Sequence, residues 1–359
     1  MDKVFFTPGP SQILLNVEIY IQEAIKNGIC SISHRGKEFE DIFQNSISSL
    51  RNILNVPEDF HIFFISSATE AMERIIENCV ESCSFHFVNG AFSDRFFKTA
   101  LELRKSPKKI EAQYGDGFEF SKITVPDNSE LVCLTQNETS TGVALNMQDI
   151  YNIKKKYTDK LIAVDIVSSV PYVDIDYSMV DCTFFSVQKG FGMPPGLGVI
   201  IVNDAAVKKS QYLQNKSLNI GSYHSFPSLL RSAEKNQTPE TPNTLWIYLL
   251  DKICNDFMKI GLNKIRNDTD KKANLLYDFF DSNSKYKPFV KNKYFRSKTI
   301  IVVNVPNSID IIDKLKSHGF IVGSGYKEFK DKQIRIANFP AHKIDDIKRL
   351  IKIIKSIEL

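Results

Sequence analysis

The sequence predicts an α/β fold, with a large domain built on a mostly parallel sheet sandwiched between helices and a smaller α+β domain after it. Three observations carry this. Apolar runs rich in aromatic and β-branched residues alternate with stretches of helical spacing up to about residue 240. Beyond that point the alternation gives way to a long helical region and then to shorter strands and helices. At 359 residues the chain is also longer than one hydrophobic core usually serves. Residues 1–245 are expected to form an N-terminal segment plus the large domain, and residues 246–359 a connecting helix and the small domain.

Thr7-Pro-Gly-Pro10 opens the chain as a turn, and residues 14–25 follow as a helix expected to pack near the C-terminal domain. Residues 60–67 are a strand of aromatic and β-branched side chains that runs into residues 69–76, apolar at helical spacing. Residues 85–90, 130–136, 161–165 and 197–202 read as further buried strands, with a helix over residues 92–104. Residues 181–189 are an apolar run that dives into glycines and prolines. One long helical region is expected from Trp246 to about residue 280. Residues 299–304 and 333–337 are strands, residues 309–316 a helix, and Ile344, Ile347, Leu350, Ile351 and Ile354 mark one face of a last helix. No internal repeat breaks this order.

With 43% hydrophobic and 25% charged residues, the composition is that of an ordinary soluble globular protein. Forty-six basic and 42 acidic residues leave a net charge of +4 with no long basic block, so neither nucleic acid nor an anionic membrane is an expected partner. Met1-Asp2-Lys3-Val4 lacks the basic-then-apolar order of a signal peptide, and no uncharged apolar run reaches the ~18 residues of a membrane span. A cytoplasmic location is therefore expected. The six cysteines fall mostly in apolar segments, and Cys79 and Cys83 lie a helical turn apart with no histidine at ligand spacing. They read as reduced, packed thiols, and no metal site is expected.

Lys189 carries the chemical signal. It ends an apolar run, where a long cation rarely stands unless its ammonium has a partner or reacts, although a solvated strand-end lysine would look the same in isolation. Asp165 ends a second apolar run, and ligands of open α/β sheets sit where strands end. An amine and a carboxylate in one crevice are what pyridoxal 5′-phosphate requires: a lysine for the Schiff base and an acid to keep the pyridine nitrogen protonated. Residues 66–70, Ser-Ser-Ala-Thr-Glu, place a helix N-terminus where a phosphate could bind, or simply cap the helix. Phe92 follows a tight turn and could stack on a planar ring or fill the core, and the hydroxyls of Thr135-Gln-Asn-Glu-Thr139 could meet the cofactor or close a turn.

Ser31-Ile-Ser-His-Arg-Gly-Lys-Glu-Phe39, Asn137-Glu-Thr139, Ala163-Val-Asp165, Ser186-Val-Gln-Lys189-Gly and Thr241-Pro-Asn-Thr244 together make the chain similar, over nearly its whole length, to the class V aminotransferases. These are fold type I pyridoxal-phosphate enzymes, and the phosphoserine-specific branch is the most similar. The resemblance implies that Lys189 forms the Schiff base and moves the proton, and that Asp165 pairs with the pyridine nitrogen. Phe92 would stack on the ring, and Thr139 would meet its phenolic oxygen. Ala68, Thr69 and Gln188 would bind the phosphate, with Thr241 lent by the second subunit of a homodimer. Arg335 would fork the substrate α-carboxylate, while His34, Arg35 and Lys327 would meet its distal anion. The implied reaction is a ping-pong transamination between phosphoserine and 2-oxoglutarate. An alanine or serine transaminase acting on glyoxylate or pyruvate is the alternative, because Ala68 stands near where the family usually has an arginine. Glu240, before Thr241, replaces a frequent asparagine and would be unfavourable beside a phosphate.

Overall fold

In a computed structural model of the protein, which describes residues 3–358, the strands form three sheets, of seven, five and two strands. The strands are β1 (Val4–Phe6), β2 (Phe60–Ile65), β3 (Ser84–Val88), β4 (Lys108–Glu111), β5 (Leu131–Thr135), β6 (Asn137–Glu138), β7 (Val143–Ala144), β8 (Leu161–Asp165), β9 (Cys182–Ser186), β10 (Gly198–Asn203), β11 (Lys287–Pro288), β12 (Ile300–Asn304), β13 (Phe320–Ser324) and β14 (Gln333–Ala337). The α-helices are α1 (Asn16–Lys26), α2 (Lys37–Leu54), α3 (Ala68–Cys79), α4 (Ala91–Glu102), α5 (Met147–Lys156), α6 (Asp204–Asn215), α7 (Phe226–Ala233), α8 (Thr244–Ile260), α9 (Leu262–Ser282), α10 (Ser308–Ser317) and α11 (Ile344–Glu358).

The large sheet has seven strands in the order β2-β10-β9-β8-β5-β3-β4. Only β10 runs against its neighbours, pairing antiparallel with both β2 and β9. The eleven residues between β9 and β10 leave no room for a crossover helix, so that reversal follows from chain length. Strands β3, β5 and β9 are buried at every position, as a sheet covered on both faces requires. The five-stranded second sheet, β1-β13-β14-β12-β11, has the first strand of the chain on its edge, parallel to β13. Its core of Phe6, Leu276, Phe280, Ile301, Val303, Ile334 and Leu350 is separate from that of the large sheet.

The expected single helix over residues 246–280 is two helices. Gly261, at φ +86, adopts a backbone conformation open to glycine and closed to most other residues, and it breaks the run between α8 and α9. Helix α1 packs on α8 rather than on the small sheet: Val17 joins the large core, and Tyr20 Oη and Asn16 Nδ2 donate to Asp256 Oδ2 at 2.7 and 2.9 Å. Among the described residues no helix is long and apolar enough to cross a membrane.

Candidate active site

The parallel strands β2, β3, β5, β8 and β9 end on the same side of the large sheet, and the residues just after them line one cavity of about 240 Å³. From β2 come Ser67, Ala68 and Thr69; from β3, Phe92; from β5, by way of β6, Thr139; from β8, Asp165; and from β9, Ser186, Gln188 and Lys189. Pro8, Gly9 and Pro10 close it from the N-terminal segment, and Tyr326, just after β13, and Arg335, on β14, from the five-stranded sheet.

Lys189 is 6% exposed, and its Nζ donates to Thr139 Oγ1 at 2.8 Å and lies 5.1 Å from the centre of the Phe92 ring. Burial lowers the pKa of this amine, and the carboxylates of Asp165 and Glu138 only partly oppose it. Asp165, 3% exposed, moves the other way: burial raises its pKa, against the opposing pull of the Val167 N–H, 2.9 Å from Oδ1, and of Lys189. Each group is thus held closer to neutrality than in water, a state in which the amine can take up a proton. The lysine stem is gripped by the N-terminal turn. A Cβ on Gly9 would lie 2.8 Å from Lys189 Cε, so this approach needs glycine.

The first turn of α3 presents backbone N–H groups to the cavity. The Ala68 N–H donates to Ser186 Oγ at 2.8 Å and the Glu70 N–H to Ser67 Oγ at 3.2 Å, while that of Thr69 finds no acceptor among the described residues. Phe92 is set by Glu138, a fully buried carboxylate that accepts from the Phe92 and Ser93 N–H groups at 3.1 and 2.9 Å and from Ser140 Oγ at 2.7 Å. It therefore caps α4, and Gly90 is needed there because a Cβ would overlap Glu138. Arg335 reaches in from β14: Nε donates to Ser324 O at 2.7 Å, Nη1 to Thr139 O at 3.3 Å, and the guanidinium lies 5.4 Å from the Tyr326 ring centre.

Ala68, Thr69, Phe92, Thr139, Asp165, Gln188, Lys189 and Arg335 therefore meet in one cavity, and Thr241, His34, Arg35 and Lys327 do not line it. Thr241 is exposed and lines a neighbouring cavity with Glu240. Arg35 donates to the carbonyls of Thr238 and Pro239 at 2.6 and 2.9 Å, and His34 stands half-buried beside it. Lys327 lies on the surface, 3.7 Å from Asp94. Glu240 turns to His224, at 3.0 Å. Gly9, Glu138, Ser186 and Tyr326 also shape the site; the sequence marks the first three only as members of Thr7-Pro-Gly-Pro10, Asn137-Glu-Thr139 and Ser186-Val-Gln-Lys189-Gly, with no role of their own, and gives none to Tyr326.

These donors suit pyridoxal 5′-phosphate: a buried amine, a buried carboxylate, an aromatic ring and a helix N-terminus converge on one space. A family model described as aminotransferase class-V matches residues 5–86 and 108–333. A phosphoserine aminotransferase of Rhodococcus opacus is 24% identical over 97% of this chain and 93% of its own length, and one of Lactococcus lactis is 23% identical over 97% and 96%. Among solved structures, a phosphoserine aminotransferase of Cytophaga hutchinsonii superposes with a TM-score of 0.97 at 44% identity, covering 99% of this chain and 98% of that one. An alanine–glyoxylate aminotransferase of Nostoc sp. shares the fold with a TM-score of 0.87 at 20% identity, covering 100% and 96%.

Proposed function

We propose that this chain, which belongs to the class V aminotransferase family, transfers the amino group of phosphoserine to 2-oxoglutarate with pyridoxal 5′-phosphate as its cofactor. The observation that carries the reading is the buried Lys189 amine, bonded to Thr139 and facing Phe92 in a cavity that Asp165 also lines. When bound, the cofactor supplies an electron sink for the charge left at the amino acid's α-carbon. Asp165 would hold the ring nitrogen and Phe92 would cover the ring. The Thr69 N–H, Ala68 and Gln188 would take the phosphate. Lys189, its pKa lowered by burial, gives and takes the proton at its Nζ. Thr139 Oγ1 accepts from that nitrogen and keeps it aimed into the cavity.

Arg335 would meet the substrate's α-carboxylate with the guanidinium edge that Ser324 and Thr139 leave open. For the donor's phosphate, the cations nearest in sequence lie outside this chain's own cavity, so a homodimer is part of the reading. The exposed Thr241 loop, with His34 and Arg35 beside it, would complete the cavity of the partner subunit, and Lys327 would add charge at the mouth. Six free cysteines, five of them buried, suit the reducing cytoplasm.

The second reading, an alanine or serine donor with a glyoxylate or pyruvate acceptor, is favoured by Lys327 being bound to Asp94 and by the lack of an arginine near Ala68. Single-turnover reactions over a panel of amino acids separate the two. Phosphoserine is expected to react fastest, and alanine or serine outrunning it would reverse the assignment.

A further inference from the structure

Two cations grip the loop that carries Thr241. Arg35 holds it from one side through the carbonyls of Thr238 and Pro239 and through Gln237 Oε1, at 2.6, 2.9 and 3.0 Å. On the other side His224, 5% exposed, stands between two carboxylates, with Nδ1 on Glu70 Oε1 and Nε2 3.0 Å from Glu240 Oε2. Ionised carboxylates only accept, so both ring nitrogens must donate, and a neutral imidazole has a single N–H. The geometry therefore calls for an imidazolium. Glu70 faces it from α3 and Glu240 from the loop, while Tyr223, its chain neighbour, packs its ring 4.1 Å away. Burial works against the charge, but the hydrogen bonds that His224 donates to Glu240 and Glu70 outweigh it and raise the His224 pKa to about 9. Glu70 in turn accepts from Ser66 N and Oγ at 2.9 and 2.5 Å. These contacts run from Glu240, one residue before Thr241, to the first turn of α3, where Ala68 and Thr69 line the Lys189 cavity.

We propose that the His224 imidazolium is a positioning residue for the phosphate end of the cofactor site, tying the Thr241 loop to the first turn of α3 through Glu240 and Glu70. The inference rests on the reading that this turn takes the cofactor's phosphate in the chain's own cavity while Thr241 completes the phosphate site of the partner subunit, so that the tie orders both. Loss of the His224 proton leaves one carboxylate without its donor and opens the tie. The hold on a phosphate then weakens as pH rises.

The test uses pyridoxine 5′-phosphate, which carries the phosphate but no aldehyde to react with Lys189. It is titrated into cofactor-free, full-length protein and followed by the emission of Trp246, the single tryptophan, which sits at the start of α8 just after this loop. Between about pH 7 and pH 10 the wild-type affinity is expected to fall about tenfold further than that of His224→Gln, which is about tenfold weaker at pH 7 and keeps only the pH dependence that Lys189 and Asp165 impose on both proteins. A His224→Gln protein that binds as tightly as wild type at neutral pH, or that keeps the wild-type pH dependence, overturns the proposal. Should that variant fail to fold, Glu240→Gln carries the test, since it leaves the Glu70 bond in place; wild-type affinity and pH profile in it would be equally fatal. Wild type that binds no pyridoxine 5′-phosphate at any pH sinks the functional reading as well, whereas tight wild-type binding matched by the variants sinks the tie alone.

Discussion

Lys189, Thr139 and Asp165 are buried at strand ends and find their partners inside one chain, whereas His34, Arg35 and Thr241 on loops and Lys327 on a short 3-10 turn reach no common cavity with them. The first group is positioned by the sheet. Once β5, β8 and β9 pair in register, Thr139, Asp165 and Lys189 follow within a few residues of their ends. The second group depends on loop conformation, on the small domain and, in the reading proposed above, on a second subunit. In that reading, reaction chemistry falls to the ends of the sheet's strands and part of the substrate choice to surface segments.

Substitutions should grade along that contrast. Lys189→Ala removes the proposed proton carrier and is expected to lower kcat by about a thousandfold or more, measured with phosphoserine and 2-oxoglutarate. Asp165→Asn keeps the shape and loses the charge, so kcat should fall about a hundredfold with the protein still folded. Arg335→Lys keeps the charge and loses the fork; kcat/KM for phosphoserine should fall roughly thirtyfold, about 2 kcal/mol, chiefly through KM. Lys327→Ala should raise the KM for phosphoserine only about threefold, because this surface cation already shares Asp94. A larger loss at Lys327 than at Arg335 would break the contrast, placing selectivity at the cavity mouth.

The smallest effect concerns pH and stability. The His224 pKa is raised, so the stabilisation it contributes is complete below its ordinary value near 6.5 and is lost as pH rises through about 9. For Glu70, burial pushes upward, but hydrogen bonds from His224 and Ser66 outweigh it and hold the pKa at about 2; its contribution is present above the ordinary 4.5 and lost as pH falls through about 2. The tie is therefore complete between these windows. The difference in Tm between wild type and His224→Gln should be a few degrees near pH 6 and shrink above about pH 9. A difference that persists at high pH would mean packing, not charge, sets it.

Lys189 and Asp165 are legible as neighbours in this cavity because each closes an apolar run, so strand position and chemistry coincide in the sequence. Glu138 was visible only as part of Asn137-Glu-Thr139; its capping of α4 depends on a carboxylate meeting N–H groups 45 and 46 residues away, which leaves no local trace. The same holds for Glu70 and His224, 154 residues apart, and for Tyr326 against Phe92, ring centres 5.8 Å apart across two domains. The break at Gly261 was hidden for the opposite reason: helical spacing continues on both sides, and only the backbone angle reveals the stop.

The central claim, that Lys189 in this cavity performs amino transfer on phosphoserine, is tested most directly by one single-turnover experiment. Full-length protein loaded with pyridoxal 5′-phosphate is mixed with phosphoserine, and the cofactor's yellow absorbance is followed in wild type and in Lys189→Ala. The wild type should lose its colour as one equivalent of 3-phosphohydroxypyruvate appears, while the variant yields none on the same timescale. A variant that forms the keto acid at the wild-type rate would contradict the account.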